Sequence, residues 1–144
     1  MKGWSTVRTA LLGRPLALPG GLVTRHPSLA EARWRRGGLP PRVGGWALGQ
    51  SSVLGIALGR TVFLAPGAPL HPELLLHELA HVHQFQRDYA FVIRYVWQTV
   101  RYGYRHNQYE LEADAYAAER IAAQARQDSR MAAVTAVSPS ILSR

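Results

Sequence analysis

The sequence predicts an α+β fold in which a short β-hairpin or small sheet packs on three or four helices, one of them buried. Three observations lead there. A chain of 144 residues that is 47% hydrophobic and 18% charged carries enough apolar material for one core and too much for wholesale disorder. Two short β-prone runs flank a Gly-Arg dipeptide. Three segments with helical periodicity follow, each with its own start or stop signal.

Taken in order, residues 1–27 mix small apolar residues with Pro15, Pro19, Gly20, Gly21 and Pro27, which predicts an irregular lead-in. A single domain is expected over residues 28–127. Ser28 reads as an N-cap with Glu31 in the capping-box position, opening a short helix to about Arg36 that Gly37-Gly38 stops. Residues 39–49, with Pro40-Pro41 and Gly44-Gly45, read as loop. Residues 52–58 and 61–65 form the hairpin, and a two-residue loop with Gly59 first suits a type II′ turn. Pro66, Gly67 and Pro69 end the second strand. Pro72 then sits in the first turn of a helix running to about Arg87, with Glu73 near its positive end.

A second helix covers about residues 89–102. Its apolar stripe of Tyr89, Ile93, Val96, Trp97 and Val100 is expected to face the core, while Arg94, Gln98, Arg101 and Arg105 line a polar face and Gly103 ends it. Asn107 caps a third helix, with Glu110 three residues on, and Ala-rich sequence carries it to about Gln127. Residues 128–144, small and polar with Pro139, read as a flexible tail.

Composition narrows the function. The longest apolar stretches are too short or too interrupted for a membrane span, and Arg14-Pro15 breaks the first one too early for a secretory signal. Cytoplasmic residence is the default expectation, with export by another route left open. With no cysteine, any metal must be held by His, Asp or Glu. Residues 1–72 carry nine basic side chains against Glu31 alone, whereas residues 73–144 carry eight of each sign. The first half is therefore a candidate for an anionic partner, although Arg33, Arg35, Arg36 and Arg42 read first as a solvated face.

The chemistry concentrates in His77-Glu78-Leu79-Ala80-His81. Residues four apart differ by about 40° around a helix, so His77 and His81 point the same way, one turn apart. That geometry lets both imidazoles bind one tetrahedral zinc ion at about 2.0–2.1 Å. Glu78, about 100° round from His77, is placed to hold the attacking water rather than the metal. The surrounding leucines imply a buried helix, in which two imidazoles and a carboxylate are costly unless paired or metal-bound. A third ligand is offered by Glu110 on the later helix. Asp114, one turn on, can accept the other ring N–H of a ligating histidine, most naturally His77. Glu112 is rotated about 200° from Glu110 and points elsewhere.

H-E-x-x-H followed by Glu110-Leu111-Glu112-Ala113-Asp114, an E-x-x-A-D motif, resembles the gluzincin class of zinc metallopeptidases. The likeness is nearest to small members: minigluzincins, and the peptidase domains associated with extracellular contractile injection systems. It covers roughly residues 51–120. The resemblance implies a small zincin-like domain, a zinc cofactor on His77, His81 and Glu110, Glu78 as general base, and a peptide or protein substrate. It also implies a strand edge above the zinc that pairs with extended substrate, which would fall to residues 61–65. The metzincin pattern is excluded, because Gln84 and Arg87 occupy its later Gly and His positions. No second lobe of thermolysin type is present, so the oxyanion-stabilising residue stays open among Tyr102, Tyr104, His106, Tyr109 and Tyr116.

The other histidines read blandly. His83 faces away from the metal, His71 starts the helix, and His106 is a surface residue with Glu110 in reach. Two functions remain in view: a zinc-dependent metalloendopeptidase, and a non-catalytic zinc-stabilised binding or scaffold module that uses the arginine-rich first half.

Overall fold

The computed structural model describes residue 7 and residues 9–47 and 53–137. The fold is α+β, a small sheet packed on helices. Its elements are β1 (Arg14–Pro15), α1 (Gly20–Arg25), a 3₁₀ turn (Pro27–Glu31), β2 (Arg33–Arg36), α2 (Pro40–Ala47), β3 (Gly55–Leu58), β4 (Thr61–Leu64), α3 (Pro72–Arg87), α4 (Phe91–Tyr102), a second 3₁₀ turn (Tyr104–His106) and α5 (Gln108–Val137). The sheet runs β1-β2-β4-β3. β4 pairs antiparallel with β3 through the expected turn and parallel with β2, where Trp34 stands opposite Val62. Gly59 has φ +60°, and no residue other than glycine has positive φ among the described residues. Arg60 therefore excludes type I′ and leaves the type II′ geometry.

The first half departs from expectation. Within residues 1–27, residues 9–12 are helical, β1 joins the sheet and α1 is a short helix, so the described part is not irregular. Ser28 and Glu31 belong to a 3₁₀ turn, and residues 33–36 form a strand rather than a helix. The reason is tertiary: Trp34 is buried, donates its indole N–H to Leu29 O at 2.8 Å and is held by β4. The predicted loop contains α2, whose first residue is Pro40. Prolines lack the N–H that a first turn leaves unpaired, so Pro40-Pro41 start a helix rather than break one. Residues 48–52, which include the rest of that loop and the start of the first predicted strand, lie outside the described residues.

Arg35 and Arg36 are half-buried rather than solvated. Arg35 donates to the carbonyls of Leu12 and Gly13, and Arg36 to those of Pro66 and Ala68. Both guanidinium groups thus clamp the ends of the sheet.

The core lies between the sheet and α3. Leu29, Val62, Leu64, Leu75, Leu76, Leu79 and Val82 are fully buried. Ala113 and Ala117 let α5 lie close on α3, so the faces bearing Glu110 and the two histidines meet. α5 continues to Val137 rather than ending near Gln127, and Arg25 pairs with Asp128 at 3.2 Å, so 128–137 is helix and not tail. Residues 138–144 lie outside the described residues. No helix among the described residues is long and apolar enough to cross a membrane.

The face of α4 is the opposite of the one expected. Phe91 is its only buried residue, while Tyr89, Ile93, Val96, Trp97 and Val100 are all exposed. Phe91 and Tyr95 are turned instead toward Tyr109 and His81.

Candidate metal centre

α3 supplies His77 and His81 from successive turns, their rings edge to face at 4.8 Å. α5 brings Glu110 between them, positioned by Asn107, whose Oδ1 accepts the N–H of Tyr109 and so caps the helix as expected. Asn107 also donates to Tyr95 O and Thr99 Oγ1, pinning α4 to the start of α5. The donor atoms converge: His77 Nε2 is 3.1 Å from His81 Nε2 and 3.3 Å from Glu110 Oε2, and His81 Nε2 is 3.2 Å from Glu110 Oε1. Donors about 2.0–2.1 Å from a tetrahedral zinc ion stand about 3.3 Å apart. His77, His81 and Glu110 therefore form a set that fits one small cation.

Hydrogen bonds behind the rings sharpen that fit. His77 Nδ1 is 2.8 Å from Asp114 Oδ1, and His81 Nδ1 is 2.8 Å from Gln84 Oε1. Gln84 spends its amide N–H groups on Tyr109 O and Glu112 Oε2, so its oxygen must face the imidazole. In their neutral form both rings thus carry hydrogen on Nδ1 and aim Nε2 lone pairs at each other and at a carboxylate. A proton can relieve only part of that repulsion, because two Nε2 atoms 3.1 Å apart cannot both be protonated comfortably. A divalent ion relieves all of it. Two imidazoles and a carboxylate are a donor set suited to zinc.

The charges respond to one another. Burial pushes the His77 imidazole down, but the hydrogen bond to Glu110 and the charges of Glu78, Glu110 and Asp114 outweigh it and raise it to about 9. His81 is raised against burial in the same way, chiefly by Glu110. Burial opposes ionisation of Glu110, yet hydrogen bonds from His77 and His81, the His81 charge and the Tyr95 hydroxyl hold it well below the usual carboxylate range. Glu78 goes the other way: burial lifts its carboxyl above its ordinary value despite both histidines. Its Oε2 has no hydrogen-bond partner among the described residues.

These groups floor a cleft of about 730 Å³. Ile56 and Leu58 of β3 form one wall and Val92, Val96 and Val100 of α4 the other. β4 lies between β2 and β3, so residues 61–65 are not an edge. The terminal strand beside the site is β3.

The structure brings together His77, Glu78, His81, Glu110 and Asp114 as the motif spacing predicts. His83 is turned away, bonded to Glu31 Oε2 at 2.9 Å and packed on Tyr116. His71 precedes α3 as its N-cap residue, and Glu112 faces Arg87 and Gln84. Of the tyrosines and histidine considered for the oxyanion, only Tyr104 lines the cleft. Burial and then Glu110 raise its phenol. Neither Gln84 nor Tyr95 is singled out by the sequence. Tyr95 donates to Glu110 Oε1 at 2.6 Å, and no motif marks it; Gln84 does stand three residues after His81, a helical neighbour spacing. No protein-family model, curated protein or solved structure matches this chain.

Proposed function

We propose that the protein is a zinc-dependent metalloendopeptidase of gluzincin type. The observation that carries the reading is Glu78, a buried carboxylate with an unpartnered oxygen, set beside a His₂Glu donor set at the floor of a cleft. Zinc held by His77, His81 and Glu110 would polarise a scissile carbonyl and bring the pKa of a bound water from 15.7 toward about 7. Glu78 takes the proton of the attacking water as general base and hands it to the departing amine. Its raised affinity for a proton suits both halves of that task. Asp114 and Gln84 hold the two imidazoles in the tautomer that presents Nε2. Of the residues weighed for the oxyanion, Tyr104 is the one that lines the cleft, which makes it the candidate donor for the oxygen that gains charge. An extended peptide fits along β3, where main-chain pairing supplies affinity and the two apolar walls receive its side chains.

The test is Glu78→Gln in zinc-loaded protein, with element analysis beside cleavage of a mixed peptide library. The expected result is one zinc per chain in both proteins and hydrolysis in the parent alone. A variant that cleaves like the parent would remove Glu78 as the base. A zinc-loaded parent that cleaves nothing would leave the ion a purely structural one, as in the scaffold reading.

A further inference from the structure

The outer face of α4 is an apolar arc with nothing packed on it among the described residues. Tyr89 is fully exposed, Val100 83%, Ile93 76% and Trp97 57%. Around the helix Ile93, Trp97 and Val100 span about a sixth of the circumference, with Arg101 and Arg94 following directly on one side and Tyr89 in the turn just before the helix. From Tyr89 to Tyr109 the sequence holds three arginines and no carboxylate. The nearest acid, Asp88, is paired with Arg94 at 3.2 Å.

We infer that this face seats the protein on an anionic lipid surface. Trp and Tyr, apolar with a polar tip, settle at the level of lipid headgroups, and flanking arginines meet phosphates there. Trp97, Tyr89 and Tyr102 supply the first; Arg94, Arg101 and Arg105 supply the second. The charge that favours an anionic partner here is local, because the half of the chain that carries α4 is balanced and the +8 excess lies in residues 1–72. A second copy of the same face would bring arginines against arginines with only Asp88, already paired with Arg94, to receive them, and a nucleic acid would leave the apolar arc without a partner. A helix of 12 residues is about 18 Å long, so it lies in the interface and does not span. Val100 belongs to both this arc and the cleft wall, with Val96 beside it. Docking therefore places the mouth of the cleft at the lipid–water boundary.

The experiment is co-sedimentation of the full chain with phosphatidylcholine vesicles, with and without phosphatidylglycerol, at low and high salt. The parent is expected to bind the mixed vesicles alone. Ile93→Glu with Trp97→Glu should abolish binding while zinc content and far-ultraviolet circular dichroism stay unchanged. Arg94→Gln and Arg101→Gln, at exposed positions that do not hold the fold, should each weaken binding about fivefold and flatten its salt dependence. Three results would overturn the inference: no binding of the parent at low salt, undiminished binding by the double glutamate variant, or a dimer that this variant breaks. Preferential binding of duplex DNA over the mixed vesicles would overturn it as well.

Discussion

Gly55 of β3 and the carboxylate of Glu78 on α3 are in direct contact: a β-carbon on Gly55 would stand 2.5 Å from Glu78 Oε1 and 2.6 Å from its Cδ. The strand thus fixes how deep the carboxylate can sit, and a glycine is what allows it. Gly55→Ala must push the carboxylate toward the cleft. Misplacement of a catalytic group by about 1 Å can cost about 100-fold. We expect zinc content to hold and hydrolysis to fall by about that factor, read by element analysis and peptide cleavage. Parent-like cleavage would show that β3 does not set the base.

Gln84 lies wholly within the fold and takes part both in helix packing and in holding the His81 ring. Gln84→Ala removes the acceptor behind His81 and should weaken zinc affinity by about 10–100-fold. It also leaves the buried His81 Nδ1–H without its acceptor, at a cost of about 1–3 kcal/mol in stability. Competition against a chelating dye measures the first and urea unfolding the second. A loss of stability with unchanged affinity would make Gln84 a packing residue only.

α3 and the hairpin were legible because their signals are local. Pro72, the leucine run and the H-E-x-x-H spacing all sit inside one helix, and Gly59-Arg60 sits inside one turn. The Glu110 and Asp114 placements were legible for a related reason, since a spacing of four on one helix fixes a shared face wherever that helix packs. β2 was not legible, because its strand character comes from pairing with β4, about 28 residues later in the chain. The α4 stripe shows how far periodicity reaches: it located an apolar face correctly and gave no information on whether that face looks inward. Phe91 and Tyr95, on the other side, are what attach the helix.

Removal of the metal should cost stability as well as activity. An ion present at about 100 times its dissociation constant stabilises the native state by about 2.7 kcal/mol. For a chain of this size that is roughly 5–10 °C in Tm. Chelation should lower the parent's midpoint by that amount, and Glu110→Ala should start low and ignore the chelator. A chelator-sensitive Glu110→Ala midpoint would take Glu110 out of the ligand set.

Zinc affinity should rise with pH. The metal-free fold raises His77 from 6.5 to about 9, so the imidazole contributes stability that is complete below pH 6.5 and lost as pH climbs through 9. Zinc requires the neutral ring, so binding displaces that proton, and affinity should rise about tenfold per pH unit for each proton lost until it levels above about 9. Calorimetry in buffers of different ionisation enthalpy counts the protons. Affinity independent of pH between 7 and 9 would mean that the rings are already neutral.

The two walls of the cleft are held with unequal strength. α3 is enclosed by the sheet and α5, with four of its aliphatic side chains fully buried. α4 rests on Phe91, the Tyr95–Glu110 bond and the Asn107 clasp. Local opening free energies follow the contacts that must be broken, so the walls occupy different tiers of native-state stability. Both imidazoles stand on α3, the more firmly packed of the two. The cleft is therefore built with one firmly held side and one that costs less to open.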